Sequence, residues 1–87
     1  MPTKPARGDL HGLAPEKLRA ARQALGMTQK ALGAEMGVSN VEIYRKELPV
    51  GAREHRPIRR VQVLAIRWLL HLAGYSDRQI AKITGAD

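Results

Sequence analysis

The chain has 87 residues, with 15 Lys and Arg against 8 Asp and Glu, and its formal net charge is +7 at pH 7. This length allows one modest hydrophobic core, and the absence of cysteine excludes a disulfide framework and a cysteine-ligated metal site, which fits a cytoplasmic protein. So much positive charge on a small chain indicates a polyanionic partner; charge that only keeps the protein soluble is the alternative.

Residues 1–12 contain two Pro, two Gly and the cations Lys4 and Arg7, and few residues that can pack. We expect a flexible basic arm here. Such an arm either reaches into a DNA minor groove or has no role.

A first helix is predicted to begin near Pro15, because Pro suits the first helical position, and to stop at Gly26. Thr28 is suited to cap a second helix that ends at Gly37. Ser39 then begins a third helix, with Glu42 placed three residues on to complete a capping box.

Residues 48–56 are predicted to form a loop, and a long fourth helix is predicted from Pro57 to about Ala73. Ser76 and Gln79 form a second capping box before a short fifth helix at about 77–84. No segment has a strand pattern, so we expect an all-α fold of about five helices. The most apolar segment falls short of the ~20 residues that cross a bilayer, so no membrane is expected as a partner.

Two short predicted helices meet at Gly37 within residues 28–47, which read TQKALGAEMGVSNVEIYRKE. Glycine passes cheaply through the left-handed backbone that a tight turn between them requires. Gly33 is small enough to let the helices approach closely, and glycine inside a helix costs about 1 kcal/mol relative to alanine, so a packing reason is expected. The apolar residues expected to hold the pair together are Leu32, Met36, Val38 and Ile43.

This segment resembles the helix-turn-helix of the Cro/CI repressor family, also called the XRE family, over about residues 18–47. The matching residues are Arg22, Gly26, Thr28, Gln29, Leu32, Gly37, Val38, Ser39, Ile43 and Glu47. The resemblance implies that the third helix enters the major groove of DNA and that Gln29 grips a phosphate. It also implies a structural ion pair between Arg22 and Glu47.

The chain departs from the family pattern at three places. Gly33 stands where the family usually has alanine, and Lys46 stands where it usually has a buried aliphatic residue. The loop after Glu47 is also unlike the usual continuation. We therefore expect the end of the third helix to be set differently in this chain.

Helical geometry, with Ile43 turned inward, places four residues on the outer face of the third helix. They are Asn40, Val41, Tyr44 and Arg45. Asn bonds adenine, Arg bonds guanine and Val contacts a thymine methyl group, so we predict base contacts from this face. An ordinary solvated helix face is the alternative.

Phosphate contacts are expected at the starts of the second and third helices, where free N–H groups and the helix dipole favour anions. A second source is the arginine cluster in and after the loop, for which a solvated loop is the alternative reading. The cluster consists of Arg53, Arg56, Arg59 and Arg60, with Glu54 among them. The predicted phosphate contacts are Thr28, Gln29, Lys30, Ser39, Arg53 and Arg56.

The fourth helix carries two apolar stripes, although one domain core buries only one. One stripe contains Val61, Leu64, Trp68 and Leu72, and the other contains Val63, Ile66, Leu70 and Ala73. We predict that the second set forms a homodimer interface. The alternative is that the fifth helix covers the surplus stripe with Ile80 and Ile83.

These features predict a DNA-binding domain at residues 13–87 whose C-terminal helices dimerise. With no Phe, one Trp and two Tyr, the chain lacks platforms for stacking single-stranded bases, so duplex DNA is favoured. We expect a homodimeric transcriptional repressor on an inverted repeat. Alternatives are an antitoxin, a recombination accessory factor, or a protein-interaction module without DNA.

The segment RPIRRVQVLAIRWLL is similar, in a narrower way, to the anti-CRISPR-associated regulators of phages, which repress their own operon. We expect no enzyme activity, cofactor or small-molecule substrate, because no catalytic constellation is present. His11, His55 and His71 lack a metal-ligand spacing, so no metal site is expected either.

Overall fold

The computed structural model describes residues 12–85, which form five α helices and contain no strand. The helices are α1 (Pro15–Ala24), α2 (Gln29–Met36), α3 (Asn40–Glu47), α4 (Arg60–Leu72) and α5 (Asp77–Thr84). The predicted all-α fold of five helices is confirmed. The arm predicted at residues 1–12 lies, apart from Gly12, outside the described residues, as does His11.

Local capping signals place most helix ends where the sequence predicts them. The Thr28 hydroxyl accepts the Ala31 N–H at 3.0 Å at the start of α2, and Gly37 ends that helix with a φ of 73°. The box before α5 is complete, because Ser76 N–H donates to Gln79 at 2.8 Å and Gln79 N–H donates back to Ser76 Oγ at 3.2 Å.

The box predicted at α3 is only half formed among the described contacts. The Ser39 hydroxyl accepts the Glu42 N–H at 3.2 Å, but the Glu42 carboxylate makes no return bond to Ser39 in the part of the chain that the structure describes. One capped N–H is nevertheless enough to begin this helix at Asn40.

α4 begins three residues later than Pro57, the predicted start. Residue Arg59 is extended (φ −88°, ψ 154°), and its N–H donates to Gln62 Oε1 at 2.9 Å. The extended segment before Arg60 carries Ile58 into the core. Burial of that side chain therefore outweighs the tendency of Pro57 to start a helix.

Every helix contributes to one hydrophobic core, and the linker between α3 and α4 adds Ile58. The buried apolar residues are Leu18, Ala21, Leu32, Ile43, Ile58, Val63, Ile66, Leu70 and Ile80. Tyr75, in the turn after α4, donates its hydroxyl to the Ala24 carbonyl at 2.9 Å and so ties this turn to the end of α1.

The predicted assignment of the two stripes on α4 is wrong. Val63, Ile66 and Leu70 are at most 2% exposed inside the core of their own chain, so they have no surface to offer a partner; only Ala73 of the predicted interface is exposed. α5 packs on this buried side through Ile80. The exposed stripe is the other one, with residues 50–67% exposed: Val61, Leu64, Trp68 and Leu72.

Candidate nucleic-acid interface

The turn between α2 and α3 is built on a close approach at Gly33. A Cβ atom there would lie 2.6 Å from the carbonyl oxygen of Val38, and the N–H of Val38 donates to the carbonyl of Gly33 at 2.9 Å. No larger residue fits without moving the backbone. Gly33 therefore fixes how α3 leaves the turn, and so the direction in which α3 presents its outer face.

One face of α3 is buried and the other is open to solvent. Ile43 is fully buried, and Lys46 and Glu47 are also buried. The four residues predicted to contact bases lie on the remaining surface, where Asn40, Val41 and Tyr44 are exposed and Arg45 is half exposed. The buried and exposed residues of α3 fall on opposite sides because the helix packs on the domain along one side only, and helical periodicity decides which residues lie there.

Arg45 is the long cation of this outer face, and its only described ionic partner is Glu54. Nε of Arg45 lies 3.4 Å from Oε1 of Glu54, with both side chains well exposed. Exposed pairs of this kind contribute little to stability. Arg45 can therefore exchange this carboxylate for another acceptor at small energetic cost.

The buried carboxylate of Glu47 joins three helices. Arg22 on α1 donates to it from Nε at 2.6 Å and from Nη2 at 3.0 Å, and Gln29 on α2 donates from Nε2 at 3.1 Å. Arg22 also donates to the Met27 carbonyl at 3.0 Å. The structure thus brings together the ion pair implied by the resemblance, and adds Gln29 to it.

This cluster shifts the pKa of both charged partners. Burial disfavours the charged form of Glu47. Hydrogen bonds from Arg22 and Gln29, together with the positive charges of Arg22 and Arg19, outweigh burial, so the pKa of this carboxyl lies below its usual value. The hydrogen bond to Glu47 raises the pKa of Arg22. Both groups are therefore held in their charged forms.

Gln29 has a second role besides the predicted phosphate contact. Its side-chain NH₂ group gives one hydrogen to Glu47. The other hydrogen and the backbone N–H groups of Gln29 and Lys30 are left for an anion, whereas the Ala31 N–H is taken by Thr28. The other predicted contacts at these helix starts, Thr28, Lys30 and Ser39, are exposed.

The linker between α3 and α4 is an ordered segment held against α3. The Arg56 N–H donates to the Arg45 carbonyl at 3.3 Å, and His55 Nδ1 is 3.0 Å from the Leu48 carbonyl. Arg53 and Arg56, predicted to contact phosphate, are both exposed on this linker. The backbone bond places Arg56 beside the end of α3.

Lys46 is a structural residue that the prediction of contacts missed. It is only 6% exposed, and its ammonium donates to the Pro57 carbonyl at 3.2 Å, which ties the linker to α3. Burial lowers the pKa of Lys46. The negative charge of Glu42 offsets part of this shift, and the positive charge of Arg59 adds to it. The sequence signal for this role was that Lys46 stands where the family usually has a buried aliphatic residue.

Other kinds of site receive no support within residues 12–85. No group of three or more His, Cys, Asp or Glu residues is placed there to hold a metal ion. No helix in this part of the chain combines the length and the apolar character needed to cross a membrane.

Comparisons with known proteins support one family. Residues 18–47, about a third of the chain, match the family described as Helix-turn-helix; this segment runs from within α1 to the end of α3. Searches of curated proteins and of solved structures found no match. With the exposed outer face of α3 and the packing at Gly33, the match identifies residues 18–47 as a Cro/CI-type helix-turn-helix unit, the DNA-binding unit of a family of transcription regulators.

Proposed function

We propose that the chain is a sequence-specific repressor that binds duplex DNA as a homodimer. The observation that carries this proposal is the exposure of the outer face of α3, combined with the rigid attachment of its inner face through Ile43 and Glu47. A helix presented in this way fits the major groove, which is wide enough to admit an α-helix.

The outer face of α3 is proposed to read bases. Arg45 would bond guanine, Asn40 would bond adenine and Val41 would contact a thymine methyl group, while Tyr44 borders the same face. Phosphates on either side would bind to the helix starts and to the linker. The proposed phosphate contacts are Thr28, Gln29, Lys30, Ser39, Arg53 and Arg56.

A second copy of the chain is proposed to cover the exposed stripe of α4. Its residues recur at intervals of three and four positions, from Val61 to Leu72, which is the spacing of a helix–helix seam. A two-fold axis at this seam gives two recognition helices. The operator is then an inverted repeat with half-sites about 10–11 base pairs apart, centre to centre.

Repression follows from occupancy of a promoter, which blocks polymerase without a cofactor or small-molecule substrate. The helix-turn-helix family to which residues 18–47 match is a regulatory one and generally non-enzymatic. The narrower similarity to anti-CRISPR-associated regulators makes the region upstream of the chain's own operon the first DNA to test.

Nuclease footprinting on this upstream region, with an unrelated promoter as control, tests the proposal. We expect a protected inverted repeat and lower transcription from that promoter in a purified system. If the protein protects no sequence, and selection from random duplexes enriches none, the proposal is wrong. The exposed stripe of α4 would then indicate a protein-interaction module.

A further inference from the structure

A cleft of about 410 Å³ lies where the linker packs against α3. Its lining residues are Glu42, Arg45, Lys46, Arg56, Pro57 and Arg59. Four of these are cations and one is a carboxylate, so the cleft has a positive charge that its own residues do not balance.

We propose that this cleft binds one phosphate group of the DNA backbone, with Lys46 at its floor and Arg59 at its rim. The inference rests on the proposed function; it adds Lys46 to the expected contacts and assigns Arg59, a member of the arginine cluster, to one phosphate. It also gives Lys46 a role as a positioning residue, because Lys46 holds the linker that carries Arg56 and Arg59.

The burial of Lys46 is the first argument for an anion. Lysine is almost never fully buried without a partner, and the described partner of this ammonium is a neutral carbonyl, which uses one of its three donors. Arg59 adds positive charge nearby, and Glu42 compensates it in part. A phosphate oxygen in the cleft would supply the missing negative charge.

The position of the cleft is the argument for the DNA backbone as the source. Successive residues of a helix are turned by about 100°, so Glu42 and Lys46 lie on the flank of α3 away from Tyr44. A helix in the major groove has a phosphate strand along each flank. The linker forms the wall of this flank, and its backbone bond from Arg56 to Arg45 holds that wall in place.

The salt dependence of duplex binding tests the inference, with two neighbouring arginines compared. Arg59 lines the cleft and Arg60 does not, although both are exposed and equally charged. Loss of one phosphate contact lowers the slope of log K against log salt concentration by about 0.9. We expect this loss for Arg59→Gln and a much smaller change for Arg60→Gln; equal slopes for the two variants would overturn the inference.

Lys46→Met separates a binding role from a purely structural one. Met keeps the apolar stem and removes only the ammonium with its one described bond to the Pro57 carbonyl. We expect a melting temperature within a few degrees of the unmodified protein but a slope reduced as for Arg59→Gln. An unchanged slope in a folded variant would remove Lys46 from the site.

Two further experiments distinguish a phosphate of the DNA backbone from a free phosphate anion. In the first, a set of operators carries one neutral methylphosphonate each, at a different backbone position. We expect one position at which the neutral group lowers affinity and Arg59→Gln lowers it no further. In the second experiment, inorganic phosphate is added to the DNA-free protein at constant ionic strength while the Lys46 side-chain NMR signal is followed. Saturable binding there, with no sensitive methylphosphonate position, would overturn the backbone assignment in favour of a free anion. Failure of the unmodified protein to bind any duplex would instead refute the proposed function, and this inference with it.

Discussion

The Arg22 guanidinium holds the Glu47 carboxylate at two points, with N–O distances of 2.6 and 3.0 Å, across 25 positions of sequence. The contact joins α1 to the last residue of α3. Only 2% of the Glu47 side chain is exposed, so neither water nor salt can substitute for Arg22. The orientation of α3, and hence of its outer face, depends on this pair.

Removal of the carboxylate charge should destabilise the fold. In Glu47→Gln the Arg22 guanidinium stays desolvated without its counter-charge, and breaking a buried pair in this way costs about 3 kcal/mol. Thermal unfolding followed by circular dichroism measures the loss. Glu35→Gln on the exposed surface of α2 is the matched control. An equal melting temperature for the Glu47 variant and the control would contradict a buried pair.

The same pair should make stability depend on pH in the acid range. The pKa of Glu47 is lowered in the folded chain, so its contribution is complete above the unfolded value of about 4.3. It is lost as the pH falls through the folded pKa. The free energy of unfolding of the unmodified protein should therefore approach that of Glu47→Gln as pH falls below 4. If the difference in free energy of unfolding between the two proteins stays constant from pH 7 to pH 3, the expected pH dependence is contradicted.

Gly33→Ala should destabilise the helix pair, although alanine is the better helix former by about 1 kcal/mol. The added Cβ meets the Val38 carbonyl at 2.6 Å, and overpacking against backbone costs about 1–3 kcal/mol. Gly51→Ala is the control, because nothing lies within 4 Å of a Cβ there. Chemical denaturation compares the two. A more stable Gly33→Ala variant would show that the turn relaxes easily.

Local sequence signals account for the first three helices and the last one. Thr28, Ser39 and Gln79 act through hydrogen bonds within three residues, so their effect is visible without tertiary structure. The outer face of α3 follows equally directly from one inward residue, Ile43. These features could be predicted because each depends on a single helix or turn.

The stripes of α4 depend on distant parts of the chain, and here the prediction failed. Both stripes are similarly apolar, and only the packing of α1 and α5 decides that Ile66 and Leu70 face inward. The start of α4 likewise depends on the burial of Ile58. The hydrogen-bond partner of Lys46 could not be predicted either, because the linker brings the Pro57 carbonyl from 11 positions away.

Arg45 should determine preference at one base pair. Arg45→Ala is expected to cost about 1–3 kcal/mol of operator binding and to relax selectivity at that position. Glu54→Ala removes only the exposed partner at 3.4 Å, and should leave selectivity unchanged. Titration against operators substituted at each position measures both. A uniform loss over all operators would identify Arg45 as a phosphate contact.

The exposed stripe of α4 should determine the oligomeric state. Leu64 is half exposed in the single chain, so Leu64→Glu leaves the core intact. In a dimer, the same change places an unpaired charge against apolar surface. We therefore expect this variant to sediment as a monomer and to keep its helices. Val50→Glu carries the same new charge at an exposed linker position outside the stripe, and should remain dimeric.

Operator binding by Leu64→Glu should follow its oligomeric state, since two linked half-sites lose their joint binding energy together. The monomeric Leu64→Glu variant should lose most of its affinity for the full inverted repeat, but only little for an isolated half-site. Ile66→Glu differs in kind, because Ile66 is fully buried and its replacement should unfold the chain rather than separate two folded copies. Sedimentation of the unmodified protein at tens of micromolar decides the matter. If that protein is a monomer that still binds its operator tightly as one copy, the proposed dimer interface on α4 is wrong, and the exposed stripe contacts something other than a second copy.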